Sequence, residues 1–286
     1  MANTPLEGDS TSGTTPGVKG VNTATSGNGH GVFGTSANWE GVHGETNSTT
    51  AAGVAGIQLN PIGTGAGVFG QNDGKGHGVF GTSANWEGVH GETNSTTAAG
   101  VSGIQLNPNG TGAGIYAESR GKGPAGFFKG DCHVTGTHTV DGDVVLSNQD
   151  CAEDFDIGLS TNVEPGTVMA LDERGLLQES RQAYDKKVAG VISGAGKFKP
   201  GLILGRNKGQ SDSHRATVAL IGKVYCKVDA THAPIDVGDL LTTSDIAGHA
   251  MKANDQTRAF GSVIGKALCG MPKGQRGLIP ILVALQ

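Results

Sequence analysis

The sequence predicts an all-β protein in two parts, an intertwined trimeric β-helix-like shaft followed by a compact β-barrel or sandwich head domain. Three observations predict it. A 47-residue unit, Gly29 to Lys75, recurs as Gly76 to Lys122 with 39 identities, which marks a duplicated structural unit. Within it runs a shorter beat, Gly-Val-x-Gly, with no helical period. From Cys151 onward, apolar strand-like runs alternate with Gly, Pro and Asp turn signals.

The beat starts at Gly31, Gly41, Gly53 and Gly67 and again at Gly78, Gly88 and Gly100. Looser forms follow at Gly114 (GIYA) and Gly126 (GFFK), and an early copy stands at Gly17. A glycine every few residues would cost about 1 kcal/mol each inside a helix, so short strands between turns remain. The second position of each beat is always apolar, whereas the third ranges over Phe33, His43, Ala55, Ser102 and Tyr116. Neighbouring strand residues point to opposite faces, so the second position is expected inward and the third toward water.

Burial arithmetic then sets the number of chains. One apolar side chain per rung contributes about 1.5 to 3 kcal/mol when buried, while ordering each of its residues costs on the order of 1 kcal/mol or more. One chain does not break even. Three chains about a common axis would set Val32, Val42, Val54, Val68, Val79, Val89, Val101 and Ile115 against their symmetry mates as a trimer core, and would pair every strand edge with a neighbour. A one-chain β-solenoid is the alternative, but its rungs keep a regular length. Here the beats recur every 10 to 14 residues. A propeller-like array is the third arrangement.

Four regions follow. Residues 1–28 are small, polar and Pro-containing, an N-terminal segment expected to be flexible and suited to attachment. Residues 29–130 form the shaft and hold most of the 31 glycines that precede residue 131. Residues 131–149 read as a β stem, with strands over HVTGTHTV and VDGDVVL and a turn at Asp141 to Asp143. Residues 150–286 form the head, where strands are expected over GTVMALDERG, KKVAGVISG, PGLILG, ATVALIGKVYCKVD, VGDLLTTS, AFGSVIGKAL and GLIPILVALQ, and one helical turn over SRQAYDKK. Within the head, VEPGTVMALDERGLLQES with KKVAGVISG aligns with IDVGDLLTTSDIAGHAMKA with RAFGSVIGK 72 residues later.

Several functions are disfavoured. The net charge of −5 is spread evenly with no basic run, so the footprint of a nucleic-acid binder is missing. MANTPLEGDS has no secretory pattern, and no run is long enough to span a membrane. The four cysteines lie far apart, without the spacing of a zinc ribbon or a disulfide scaffold. GHGVFG matches a dinucleotide fingerprint by letter only, because its glycines belong to the beat. Neither a cofactor nor a metal is called for. His43 and His90 occupy equivalent rungs at the outward third position. Trp39 and Trp86, also equivalent, either fill the rod or form two bands for surface contact.

The runs DCAEDFDI, EPGTVMALD and KKVAGVISG, with GDLLTTSDIAGHAMKA and AFGSVIGKAL, resemble the C-terminal head domains of phage tail fibres and neck appendages, including the peptidase G2 intramolecular-chaperone group. The Gly-Val-x-Gly rod is similar to fibre shafts. The resemblance implies a homotrimeric structural fibre of a phage or phage-like particle, assembled in the cytoplasm, joined to a baseplate or other scaffold by its N-terminus and meeting a cell-surface receptor. The head would help set trimer registration. No enzymatic activity is expected, with one alternative. In the chaperone group the head cleaves itself from the fibre at this junction with a serine and nearby acids, which would place cleavage near Asp150-Cys151, with Cys151 at the serine position and Glu153 or Asp154 among the acids. A filament protein polymerising head to tail is the other alternative.

Overall fold

The structure is a computed structural model that describes residues 8, 10–11, 13–14, 16–26, 29–158, 163–206 and 214–285. Much of the N-terminal segment therefore lies outside the described residues. The chain divides into two compact units, Met1–Phe127 and Phe128–Gln286.

The first unit differs from expectation. No residue from 29 to 149 belongs to a strand, and every one from 29 to 148 is exposed. The β-helix shaft is thus not formed by the lone chain, and neither are the two strands expected in the stem. A strand is stable only when its backbone groups pair with a neighbour, and these residues have no such ladder within the chain. Among residues 29–148, the backbone-to-backbone hydrogen bonds are two loop contacts, Gly63 N–H to Asn60 O at 3.0 Å and Gly110 N–H to Asn107 O at 2.9 Å. They occupy equivalent places in the two 47-residue units.

The head is almost entirely β. Its strands are β1 (Asp150–Asp156), β2 (Val168–Leu171), β3 (Leu177–Glu179), β4 (Val188–Ile192), β5 (Pro200–Leu204), β6 (Arg215–Asp229), β7 (Leu240–Thr243), β8 (Ala250–Lys252), β9 (Val263–Ala267) and β10 (Arg276–Ala284). Pairing in the order β6–β10–β9–β7–β8 and back to β6 closes a five-stranded barrel. All seven sequence-predicted runs are strands. β1, β3 and β8 were not among them, being either polar or only 3 residues long.

β6 organises the domain because it serves two layers. Its C-terminal half lines the barrel core with Val224, Cys226 and Val228, against Leu241, Ile264, Ile279, Ile281 and Val283. Its N-terminal half pairs with β1 and β4 over a second cluster of Met169, Leu177, Ile192, Ala216 and Val218. Burial pushes the Cys226 thiol far up, so it behaves as an inert core side chain.

The internal duplication is visible in the pairing. β2 pairs with β3 and β4, as β7 pairs with β8 and β9. The register shift between Met169 and Ala170 has its counterpart between Leu241 and Thr242. The turns before β2 and β7 both use a glycine in the left-handed region, Gly166 at φ 92° and Gly238 at φ 93°, where a Cβ would be strained.

The helical turn is displaced. SRQAYDKK is not helical, since Tyr184 sits at φ 60°, incompatible with a right-handed turn. The one short helix among the described residues, α1 (Gln256–Ala259), follows Asp255, whose side chain accepts from the Thr257 and Arg258 amides as an N-cap.

Candidate assembly surface and stem junction

The beats explain their own glycines. The last glycine of one beat lies directly against the first glycine of the next and against the apolar residue after it. A Cβ on Gly44 would stand 2.8 Å from the Gly53 carbonyl oxygen and 2.5 Å from a Val54 methyl; one on Gly91 would meet Gly100 and Val101 at the same distances. The same contact joins Gly34 to Gly41, Gly56 to Gly67, Gly70 to Gly78, Gly81 to Gly88 and Gly103 to Gly114. Only glycine permits backbones this close.

Successive beats therefore present their apolar residues at matching positions, and none of these is covered within the chain. Val32, Val42, Val54, Val68, Val79, Val89, Val101 and Ile115 are each between 66% and 71% exposed. Third-position residues such as Phe33 and His43 are exposed as well, so burial in one chain does not separate an inner from an outer face. Trp39 and Trp86 are among the most exposed residues of the unit.

The two repeats also carry matching charge clusters. His43 Nδ1 is hydrogen-bonded to Glu40, and its Nε2 lies 3.4 Å from Glu45; His90 contacts Glu87 and, at 3.3 Å, Glu92. Hydrogen bonding to the first glutamate, then to the second, both of which accept, raises both imidazoles above the ordinary histidine value.

At the start of the head, β1 divides the residues singled out as a cleavage site between its two faces. Asp150, Ala152 and Asp154 face inward, whereas Cys151 and Glu153 lie on the opposite, half-buried face. Cys151 stands opposite Ile221 of β6 and Leu202 of β5, both exposed apolar residues. Asp154 is engaged elsewhere. It accepts from Arg206 Nε at 2.8 Å and Nη2 at 3.2 Å, and from the Thr217 hydroxyl at 2.6 Å. Arg206 and then Thr217 hold its carboxyl below the usual carboxylate range despite burial. The fold thus brings Asp154 to a cation and a hydroxyl and keeps it away from the thiol.

Asp150, which the sequence places at the candidate cleavage position beside Cys151, has a buried setting that the sequence does not reveal. It is buried at 4% exposure, the Ser193 hydroxyl lies alongside, and neither carboxylate oxygen closes a well-formed hydrogen bond. Desolvation raises its pKa above the ordinary aspartate value, with no charged group offsetting the effect. Its strand partners are Pro200 and Gly222, and the Lys223 amide donates to Gln149 at 3.2 Å, which ties the end of the stem into the barrel's longest strand. Arg206, Thr217 and Ser193 lie 43 to 63 residues downstream of these aspartates, too far for any local pattern to reveal.

No protein-family model matches the chain, and neither does any curated protein. Among solved structures, the chain is similar to the crystal structure of the pre-mature bacteriophage phi29 gene product 12, at 14% identity and a TM-score of 0.39, over 52% of this chain and 24% of that one. The chain therefore spans about a quarter of that protein's length. Among the described residues, no helix is long and apolar enough to cross a membrane.

Proposed function

We propose that the chain is the subunit of a homotrimeric fibre of a phage or phage-like particle, with residues 29–130 as shaft and residues 150–286 as a head that helps set registration. One observation carries this reading. The beats leave an apolar residue exposed at every step while their backbone donors and acceptors make no ladder within the chain. Two further copies offer both what the valines lack and what the backbone lacks, and a closed three-fold arrangement leaves no free edge. The resemblance of the head segments to fibre-tip domains supports the particle setting. Attachment through residues 1–28 to a baseplate or scaffold, and contact with a cell-surface receptor, complete the reading.

Native mass spectrometry of the full chain at two protein concentrations tests it. The expected mass is three times that of the 28.8 kDa subunit at both. A monomer overturns the proposal, and a mass that grows with concentration favours the head-to-tail filament. Val42→Asp combined with Val89→Asp is expected to abolish the trimer while the head still unfolds cooperatively. A trimer that survives the pair removes the valine column from its core.

A further inference from the structure

We propose that the head binds a small oxyanion carried on a carbohydrate, a sugar acid or a sugar phosphate, in a cleft on the outer wall of the barrel. The cleft has a volume of about 460 Å³ and is lined by Glu164, Pro165, Lys227, His249, Arg276 and Leu278, with Gly277 between the last two. That volume suits a monosaccharide-sized group.

The barrel's own register assembles the lining. On the β6–β10 ladder, Leu278 lies opposite Lys227 and Arg276 opposite Asp229. The pairing of Val228 with Ala250 sets His249 beside Lys227. The Lys227 amide donates to the Gly166 carbonyl at 2.8 Å, which holds the segment bearing Glu164 and Pro165 against the same wall. Residues from four separate parts of the sequence thus meet on rigid strands and one anchored turn.

The chemistry of the lining is mixed in a way that selects a ligand. Among the described residues the Arg276 guanidinium makes no hydrogen bond or ion pair, although its charge acts on the buried Asp229. Its planar fork is therefore free to take an oxyanion through two parallel bonds. Lys227 Nζ, held 3.0 Å from Glu164 Oε2, supplies a second cation beside it. The Glu164 carboxylate can only accept, so next to the two cations it is placed for sugar hydroxyls and works against a bare polyanion. His249 Nδ1 donates to the Ala247 carbonyl at 2.7 Å, which leaves Nε2 as a further polar group. Leu278 and Pro165 offer an apolar wall for the C–H face of a ring. No Phe, Tyr or Trp and no basic run is present in the lining to stack or track a nucleic acid. The lining comes entirely from one chain, so the inference does not rest on the proposed assembly.

Calorimetric and NMR titrations of the full chain with methyl β-D-glucuronide and with glucose 6-phosphate test it, with methyl β-D-glucoside and inorganic phosphate as controls. At least one sugar anion is expected to saturate with a roughly millimolar dissociation constant, as suits a few charge-assisted contacts. The neutral glucoside and inorganic phosphate should each bind at least about tenfold more weakly. Which sugar anion binds tells a carboxylate ligand from a phosphate one. Arg276→Ala should weaken binding about tenfold or more, and Arg276→Lys, which keeps the charge but loses the fork, by a smaller factor. Thermal melts of both variants check that the head is intact, and Lys227→Ala gives a second disruption. No saturation by either sugar up to about 10 mM, a value above the millimolar range, overturns the proposal. So does binding unchanged in the Arg276 and Lys227 variants, or inorganic phosphate binding as tightly as the sugars, which would mean an adventitious ion only.

Discussion

The shaft sequence and the head use the same materials, short apolar runs between glycine turns, yet one chain closes a sheet in the head and forms none in the shaft. The difference is apolar density along the strand. β10 turns Ile279, Ile281 and Val283 into the core at every second residue, and all nine of its residues pair with β6. A shaft beat has one invariantly apolar position, followed by a loop with no regular alternation of apolar residues. Burial on one face of a head strand offsets the cost of ordering it. A shaft beat in isolation leaves that cost uncovered, and the proposed trimer would supply the missing burial between chains.

The largest effect that would break this comparison lies in the barrel. Ile281→Ala should lower the stability of the head by about 2–5 kcal/mol through the cavity it leaves, read from chemical denaturation of the full chain, with the oligomer mass unchanged. If Ile281→Ala dissolved the assembly while leaving the head's transition in place, the division of labour would be reversed.

A second, smaller effect sharpens the account of the shaft. Gly44→Val places atoms where the Gly53 carbonyl oxygen and a Val54 methyl already sit, at 2.8 Å and 2.5 Å from a Cβ. Overpacking of this kind costs about 1–3 kcal/mol, so the shaft transition should move to lower temperature. Gly123 has nothing within 4 Å of its Cβ position, and Gly123→Ala should leave that transition where it was. Equal behaviour of the two variants would mean that the beat glycines are turn residues only, without a role in close approach.

These contrasts also mark what the sequence made legible. The head's apolar runs are read directly as strands, because alternation reports burial against a neighbour that the same chain provides. The offset of 72 residues between its two halves is equally readable, down to the matched turns at Gly166 and Gly238. Strands expected in the shaft and stem are absent from the lone chain, since alternation there has no neighbour to report. The glycine pattern speaks against a helix in the sequence, and its spacing also encodes one beat resting on the next. At the stem junction, acids were visible but not their roles: Asp154 is explained by Arg206, 52 residues away, and Asp150 by a burial that no local pattern signals. The cationic cleft is likewise a product of register, which sets His249 and Arg276 beside Lys227.

The two junction aspartates make a third prediction because they act with opposite sign. Asp154 has a depressed pKa, so its contribution is complete above the ordinary aspartate value and is lost as pH falls through the depressed one. Arg206→Ala should therefore cost about 1–3 kcal/mol at neutral pH, a range kept low because the guanidinium is half exposed, and should weaken the acid-side dependence of head stability. Asp150 has a raised pKa, so its contribution is present below the ordinary value and is lost as pH rises through the raised one. Asp150→Asn keeps the shape and removes the charge, so it should stabilise the head at neutral pH and flatten that descent. A head destabilised at neutral pH by Asp150→Asn would instead mean that the ionised carboxylate has a partner.

The smallest effect returns to the repeats. His43 and His90 each lie between two glutamates in equivalent geometry, and both are raised above the ordinary histidine value by those carboxylates. Their contribution to shaft order is present below the unperturbed value and fades as pH rises through the raised one, but exposed pairs of this kind are strongly screened. The measurable signature is therefore titration rather than stability. Ring NMR shifts of the two histidines should move together, with midpoints above that of an unfolded-chain histidine, and Glu40→Gln should lower the His43 midpoint while leaving His90 alone. If the two midpoints diverge in the wild-type chain, the duplicated units no longer share one environment, and the second repeat is more than an added length of shaft.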